Sequence, residues 1–389
     1  MSGMFRRDFL VKTGAAAAGV GGGLAAYWWL GREEGASVPG EALARDEVGP
    51  EPFVREAMHY KRLEEGRIEC EICPRACKVA IKERGYCGVR ENIDASYRTL
   101  VYGRVCSMNV DPIEKKPLFH FLPGAKALSI ATAGCNIECK FCQNWEISQF
   151  RPEQVRSINF PPEEVVRQAK SNGIESIAFT YSEPVVFYEY MYDTAKLARE
   201  QGVKSVMISN GYIEEKPMVG LCEHLSAVKV DLKAFTDKFY KEICSGELRP
   251  VLDTLKVLRR EKMWNELVVL MIPTLNDGEE EIQQMCAWVH DELGPDVPIH
   301  FTRFHPTYKI KNLPPTPVST LERAREIAME KGLNYAYVGN VPGHEGESTY
   351  CAHCKKPVIQ RLGFRILEVA IDGGHCAYCK TPIPGVWKA

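Results

Sequence analysis

Residues 125–145 read AKALSIATAGCNIECKFCQNW. An apolar run, Ala127 to Ile130, has the character of a buried strand, and the small residues Ala131-Thr132-Ala133-Gly134 lead out of it into three thiols. Cys135, Cys139 and Cys142 stand at C-x3-C-x2-C, compact enough for one loop to wrap a cube of iron and sulfide. A four-iron cluster normally takes four thiolates, so three local ones leave one iron open to a substrate or cofactor. A structural zinc site is the competing reading. Zinc sites usually come as two C-x2-C-like pairs, and this triple is not that; buried free cysteines are the other alternative.

Downstream of this loop the chain alternates. Apolar, β-branched runs at Ala127–Thr132, Ser176–Tyr181, Lys204–Ser209, Ala227–Leu232, Leu267–Pro273 and Pro298–Phe304 predict strands. Helices are expected at Pro162–Lys170, Phe187–Gln201, Arg249–Lys262, Glu279–Leu293 and Leu321–Lys331, with a last strand-like piece at Tyr335–Val338. Strand–helix alternation means parallel strands joined by right-handed crossovers. Six such units predict an α/β fold, a partial (βα)6 barrel with its site at the C-terminal strand ends. The residues at the strand ends support this: the cysteine loop, Thr180-Tyr181-Ser182-Glu183-Pro184, Ser209-Asn210-Gly211, Asp231-Leu232-Lys233, Pro273-Thr274-Leu275-Asn276 and Arg303-Phe304-His305-Pro306. One polar residue in such a place is a cap or turn former; six in series point to a shared cavity.

These segments resemble the radical S-adenosylmethionine (SAM) superfamily, in the branch of pyruvate formate-lyase activating enzymes. The subgroup named for the AmmeMemoRadiSam system is the most similar, on the cysteine run, Tyr181-Ser182-Glu183-Pro184, Ser209-Asn210-Gly211, Val230-Asp231-Leu232-Lys233, Phe304-His305-Pro306 and two flanking cysteine groups. The resemblance spans about residues 66 to 389. It implies a [4Fe–4S] cluster on Cys135, Cys139 and Cys142, whose open iron chelates SAM and whose electron cleaves it to methionine and a 5′-deoxyadenosyl radical. It also implies that Phe141 lies against adenine and that Glu183, its turn shaped by Pro184, accepts from the amino group of SAM. Asn210 is implied at the ribose or carboxylate, Asp231 and Lys233 at the methionyl or reacting end, and His305 at the carboxylate. A zwitterionic headgroup needs an anion and a cation or donor. Tyr181-Ser182 stand where the family has two glycines.

The chain has 389 residues, 45% apolar and 26% charged, and a net charge of −2 that gives no argument for nucleic-acid binding. Fifteen cysteines are many, and two further groups have ligand-like spacing. Cys70, Cys73, Cys77 and Cys87 suggest a closed site for zinc or an auxiliary cluster, or else a redox-active group. Cys351, Cys354, Cys376 and Cys379 form two C-x2-C pairs, the pattern of a zinc ribbon, with an auxiliary iron–sulfur cluster as the alternative; a site shared between the two groups is a third arrangement. His353 and His375 read as bystanders, and Cys106, Cys222, Cys244 and Cys286 as small buried hydrophobes.

The N-terminus, with Phe5-Arg6-Arg7-Asp8-Phe9-Leu10-Val11-Lys12 before an uncharged Gly/Ala-rich stretch, resembles a twin-arginine signal. The expected division is 1–44 signal, 45–66 linker, 67–120 cysteine-rich module, 121–343 radical SAM core and 344–389 zinc-ribbon-like module. Export or membrane tethering through the signal is expected, with cytoplasmic function as the alternative. Expected partners are a flavodoxin- or ferredoxin-like electron donor and, by the resemblance, a protein substrate; the membrane enters only through the N-terminal segment. His344, Glu347 and Tyr350 are placed near the cavity. An exported electron carrier without SAM chemistry would share the cysteines but has no need for polar groups at successive strand ends. A scaffold with an inactive barrel predicts a lost cluster cysteine, and none is missing.

Overall fold

The structure, a computed structural model, describes residues 51–388. Its centre is an eight-stranded sheet: β1 (Ser107–Pro112), β2 (Lys126–Ala131), β3 (Ser176–Phe179), β4 (Lys204–Ser209), β5 (Ala227–Asp231), β6 (Asn265–Met271), β7 (Ile299–Arg303) and β8 (Ala336–Gly339). They lie side by side in chain order. From β2 to β8 every pairing is parallel, while β1 pairs antiparallel with β2 along its whole length. The barrel is therefore partial, as expected, but it has seven parallel strands rather than six. The seventh is the short Ala336–Gly339, and an antiparallel strand closes the other edge. Ser176 to Phe179 of β3 are buried throughout, as a strand covered on both faces must be.

Among the described residues six helices of eight residues or more cover the outside: α1 (Pro162–Ser171), α2 (Tyr188–Glu200), α3 (Glu215–Cys222), α4 (Leu248–Arg260), α5 (Glu279–Leu293) and α6 (Val318–Glu330). In α4, Val251, Leu255 and Leu258 are buried at helical spacing. The α3 helix was not expected. Its Pro217 sits in the first turn, where the missing N–H would be unpaired anyway, so proline there did not stop the helix.

The end of the barrel opposite the strand C-termini is plugged. Phe121 and Leu122 pack with Ala127, Ala178, Val206 and Ala227, and Val386 from the chain's end joins them. The Leu122 N–H donates to the Val386 carbonyl at 2.8 Å. Buried Glu266 accepts from the N–H groups of Phe119 and His120 and pairs with His300 at 2.8 Å. The apolar tail 382–387 thus packs back, and the floor of the barrel is fixed.

Residues expected as linker carry two short strands. Arg55–Glu56 pairs with Arg98 and Thr99, and Tyr60–Arg62 with Ile68–Cys70. Nor do the N-terminal cysteines form a module of their own. Ile68, Cys70, Cys73, Val79, Val89 and Tyr97 belong to the same continuous core as the barrel strands. A buried bidentate pair, Arg90 to Glu189 of α2 at 3.0 and 2.6 Å, ties them to it. The C-terminal group differs: Cys351, Val358, Cys376 and Ile383 make a small core of their own.

The proposed signal and the Arg6-Arg7 pair lie outside the described residues. Among the described residues no helix is long and apolar enough to cross a membrane. The membrane is accordingly withdrawn as a partner.

Candidate functional site

The cysteine loop leaves β2 at the C-terminal end of the barrel. Gly134, with φ +103°, makes the bend; a Cβ there would lie 2.7 Å from Val89 Cγ1 and 3.1 Å from the Cys87 carbonyl. Only glycine fits a left-handed residue so closely approached. The loop is then held by backbone bonds to a distant segment, Glu138 N–H to Cys244 O and Lys140 N–H to Ile243 O, both at 2.9 Å. Lys309 N–H donates to the Lys140 carbonyl at 2.9 Å, which brings the segment after β7 onto the same loop. Tyr308 stacks on Trp145 with ring centroids 5.1 Å apart.

Cys139 is buried; Cys135 and Cys142 are half-buried. Cys142 Sγ lies 3.2 Å from the Ser148 hydroxyl. Burial raises the Cys135 and Cys142 thiols above their ordinary range. Cys139 is lowered instead, first because the Cys244 thiol donates to it. Sequence reasoning took Cys244 for a small hydrophobe. Its place beside Cys139 comes from backbone pairing between segments about a hundred residues apart, which no local pattern announces.

Glu183 is the best-held side chain of the site. It is 3% exposed. One carboxylate oxygen accepts from Val185 N–H at 3.1 Å and Ser209 Oγ at 2.7 Å, the other from Asn210 N–H at 2.8 Å. Pro184 opens the short 3-10 turn that presents Val185 N–H to it. Burial nonetheless dominates and pushes the carboxyl up to about 7. Asn210 reaches the cysteine loop: its Nδ2 donates to Asn136 Oδ1 at 2.9 Å and lies 3.9 Å from Cys135 Sγ. The structure therefore brings Glu183, Asn210 and the cysteine loop together. Ser209, which stands in the strand-end run without a role of its own, and Asn136 complete the chain of contacts.

Asp231 and Lys233 also converge. Lys233 Nζ is 3.3 Å from Asp231 and sits over the Phe141 ring at 5.7 Å. Lys229, buried lower on β5, bonds to the other Asp231 oxygen. Asp231 is 31% exposed against 6% for Lys229 and 12% for Lys233. The carboxylate, not the ammonium groups, is the most exposed member of the three. Burial opposes all three charges; the two cations outweigh it and hold Asp231 low, and at Lys233 Asp231 together with Cys139, Cys244 and Tyr240 outweighs it, so Lys233 is raised. At Lys229 burial wins and its pKa is lowered. Phe141 is buried and packs on Phe239, ring centroids 6.0 Å apart. His305 is half-buried just beyond β7, its pKa lowered by burial and then by Arg303.

His344, Glu347 and Tyr350 are occupied locally. Glu347 is buried and accepts from the N–H groups of Gly343 and Gly363; His344 caps Gly346 N–H and pairs with Glu322; Tyr350 donates to the Glu345 carbonyl. Their expected place in the cavity is withdrawn.

The C-terminal cysteines form a site able to bind metal. All four sulfurs lie within 4.8 Å of one another, with Cys351 and Cys379 3.6 Å apart and Cys354 and Cys376 3.7 Å apart. Tetrahedral zinc–thiolate bonds of about 2.3 Å place sulfurs roughly 3.8 Å apart. Among the described residues no other set of His, Cys, Asp or Glu is so compact.

Residues 129–289 match the family model of the radical SAM superfamily. A protein of Methanocaldococcus jannaschii, described as uncharacterized, is 46% identical over 332 residues, 85% of this chain and 99% of its own. The pyruvate formate-lyase-activating enzyme of Clostridium pasteurianum is 27% identical over 178 residues, 42% of this chain and 69% of that enzyme. A crystallised radical SAM methyltransferase from Sphaerobacter thermophilus aligns with a TM-score of 0.46 at 16% identity, over 58% of this chain and 71% of that one.

Proposed function

Since the chain belongs to the radical SAM superfamily and is an enzyme of that kind, we propose that Cys135, Cys139 and Cys142 hold a [4Fe–4S] cluster and that SAM binds in the cavity beside them. The bound pair supplies a 5′-deoxyadenosyl radical, which abstracts hydrogen from the substrate. The residues fit such a group. Three thiols share one loop, Asn210 Nδ2 lies 3.9 Å from one of them, and a buried carboxylate stands one side chain away. Glu183 carries this reading. A carboxyl so buried, with three donors arranged around it, is set to receive a donor from a ligand on its remaining lone pair.

The other residues have matching work. Asn210 links the Glu183 carboxylate to the cysteine loop and fixes the distance between them. Asp231 presents negative charge to the sulfonium or to the reacting end. Lys233 and Lys229 keep Asp231 ionised and aimed. Phe141 offers an apolar wall for adenine, and His305 a donor for a carboxylate. The substrate class we favour is a protein, as the name of the Clostridium relative implies for that enzyme, with a one-electron donor of the flavodoxin or ferredoxin class. Kinship with the AmmeMemoRadiSam subgroup rests on the flanking cysteine groups. Zinc is assigned to Cys351, Cys354, Cys376 and Cys379 on their spacing.

The test is anaerobic. The protein is reconstituted with iron and sulfide, reduced with dithionite and given SAM, and 5′-deoxyadenosine is assayed against Cys139→Ala. Product from the wild type and none from the variant supports the reading. A loaded, reducible cluster that neither binds nor cleaves SAM refutes it.

A further inference from the structure

Cys70, Cys73, Cys77 and Cys87 line one cavity, together with Arg90, Tyr97 and Asn136. Their sulfurs are not drawn together as the C-terminal four are: among the described residues only Cys351, Cys354, Cys376 and Cys379 fall within 4.8 Å of one another. The set at Cys135, Cys139 and Cys142 does not meet that limit either. One zinc ion needs its sulfurs roughly 3.8 Å apart. A four-iron cube carries each thiolate on a different iron, so its sulfurs stand farther apart. The N-terminal thiols are thus unlike the zinc-sized site of the same chain.

The donors around them say the same. The backbone N–H of Tyr86 donates to Cys77 Sγ at 3.4 Å. Tyr97, 1% exposed, lines the same cavity. Arg90, also 1% exposed, lines the cavity with an Nε–H that has no hydrogen-bond partner. Neutral thiols are weak acceptors. A backbone donor on one sulfur and an unpaired guanidinium N–H in the same buried cavity fit sulfurs that carry charge. We infer that these four cysteines ligate a second iron–sulfur cluster, a [4Fe–4S] cube with thiolate on every iron. Such a cluster has no open iron for SAM, and its chemistry is electron transfer.

Its position suits that role. Asn136 lines this cavity and is the neighbour of Cys135 in the chain. Arg75 Nε donates to the Asn136 carbonyl at 2.9 Å, and Cys87 and Val89 press on Gly134. Held by Cys70, Cys73, Cys77 and Cys87, such a cluster would supply one-electron transfer toward the group on Cys135, Cys139 and Cys142, with a donor protein of the flavodoxin or ferredoxin class as the electron source. No bond or proton changes hands. This relay rests on the proposed function above; the presence of the cluster does not.

The test uses the full chain with Cys135, Cys139 and Cys142 all changed to Ala, reconstituted anaerobically. About four irons per chain are expected, with an electron paramagnetic resonance signal after dithionite that added SAM does not move. Adding Cys70→Ser and Cys77→Ser removes iron and signal and leaves zinc unchanged. No iron, or a second zinc in its place, overturns the proposal. Should the triple variant not fold, wild type against Cys70→Ser/Cys77→Ser gives the same answer as about eight irons against about four. For the relay, Cys70→Ser/Cys77→Ser should cleave SAM normally with dithionite and more slowly, on the order of tenfold, with flavodoxin as donor. Equal loss with both donors refutes the relay. Two loaded clusters without any SAM cleavage by the wild type refute the proposed function and leave the second cluster standing.

Discussion

SAM affinity should depend on pH through Glu183, and Glu183→Gln should remove that dependence. Burial lifts this carboxyl from an ordinary 4.5 to about 7, against three hydrogen bonds that favour its charge. Protonated, it cannot take the donor that SAM offers. Between pH 8 and pH 6 the free protein therefore loses most of its binding-competent form, and affinity falls about tenfold, since one unit of pKa is a factor of ten. The negative charge of a neighbouring cluster acts in the same direction as burial and enlarges the change. Titration of the SAM amino group affects both proteins equally and cancels in their ratio. Glu183→Gln loses a charge-assisted hydrogen bond of about 1.5–3 kcal/mol, so it binds at least tenfold more weakly at pH 8. The same group makes a stability statement. Its folded pKa lies above its unfolded one, so its contribution falls as pH rises from about 4.5 to 7 and is flat above, a cost of about 3 kcal/mol that a bound cation offsets. The assay is anaerobic calorimetric titration of SAM into oxidised, cluster-loaded wild type and Glu183→Gln at pH 6, 7 and 8. A wild-type to variant affinity ratio that stays the same across that range would sink the argument that Glu183 receives SAM.

The remaining predictions concern the frame around the site. Glu189→Ala leaves the buried Arg90 guanidinium uncompensated and should cost about 3–5 kcal/mol in urea unfolding; a loss under about 1 kcal/mol would show that the pair does not bind the N-terminal sheets to the barrel. Gly134→Ala places a methyl 2.7 Å from Val89 Cγ1 at φ +103°; we expect a loss of about 2 kcal/mol or more and poor cluster loading, and full iron content with unchanged stability would contradict the packing described. Cys354→Ser should lower zinc by one ion per chain and reduce the melting temperature, because the same tail supplies Val386 to the barrel floor; unchanged zinc would place the ion elsewhere.

The parts of this fold that are legible in the sequence are those where a periodic apolar run and a polar strand end coincide. Strands β2 to β7 satisfy that condition, and so Glu183, Asn210, Asp231 and Lys233 stand out as strand-end residues from the order of residue types alone. Strand β1 does not satisfy it: Asn109, Asp111 and Pro112 interrupt its apolar character, and it is a strand because the β2 edge needs a partner. The same holds for Arg55–Glu56 and Tyr60–Arg62, whose polar composition reads as linker until Thr99 and Cys70 lie opposite them. Tertiary pairing decides such segments and propensity does not.

The site divides along the same line. A spacing such as C-x3-C-x2-C lies within one loop and is read directly. A contact such as Cys244 to Cys139 is made by two backbone bonds across the chain and leaves no local trace. The N-terminal cysteines combine both cases. Their spacing announces a ligand set, but whether they form a free-standing module or part of the barrel's own core is a matter of packing. The structure puts them in that core, against Gly134 and Asn136. That placement changes what they are for. A detached knuckle would serve stability alone, whereas four thiols built into the wall behind the Cys135 loop stand where the proposed second cluster would serve it.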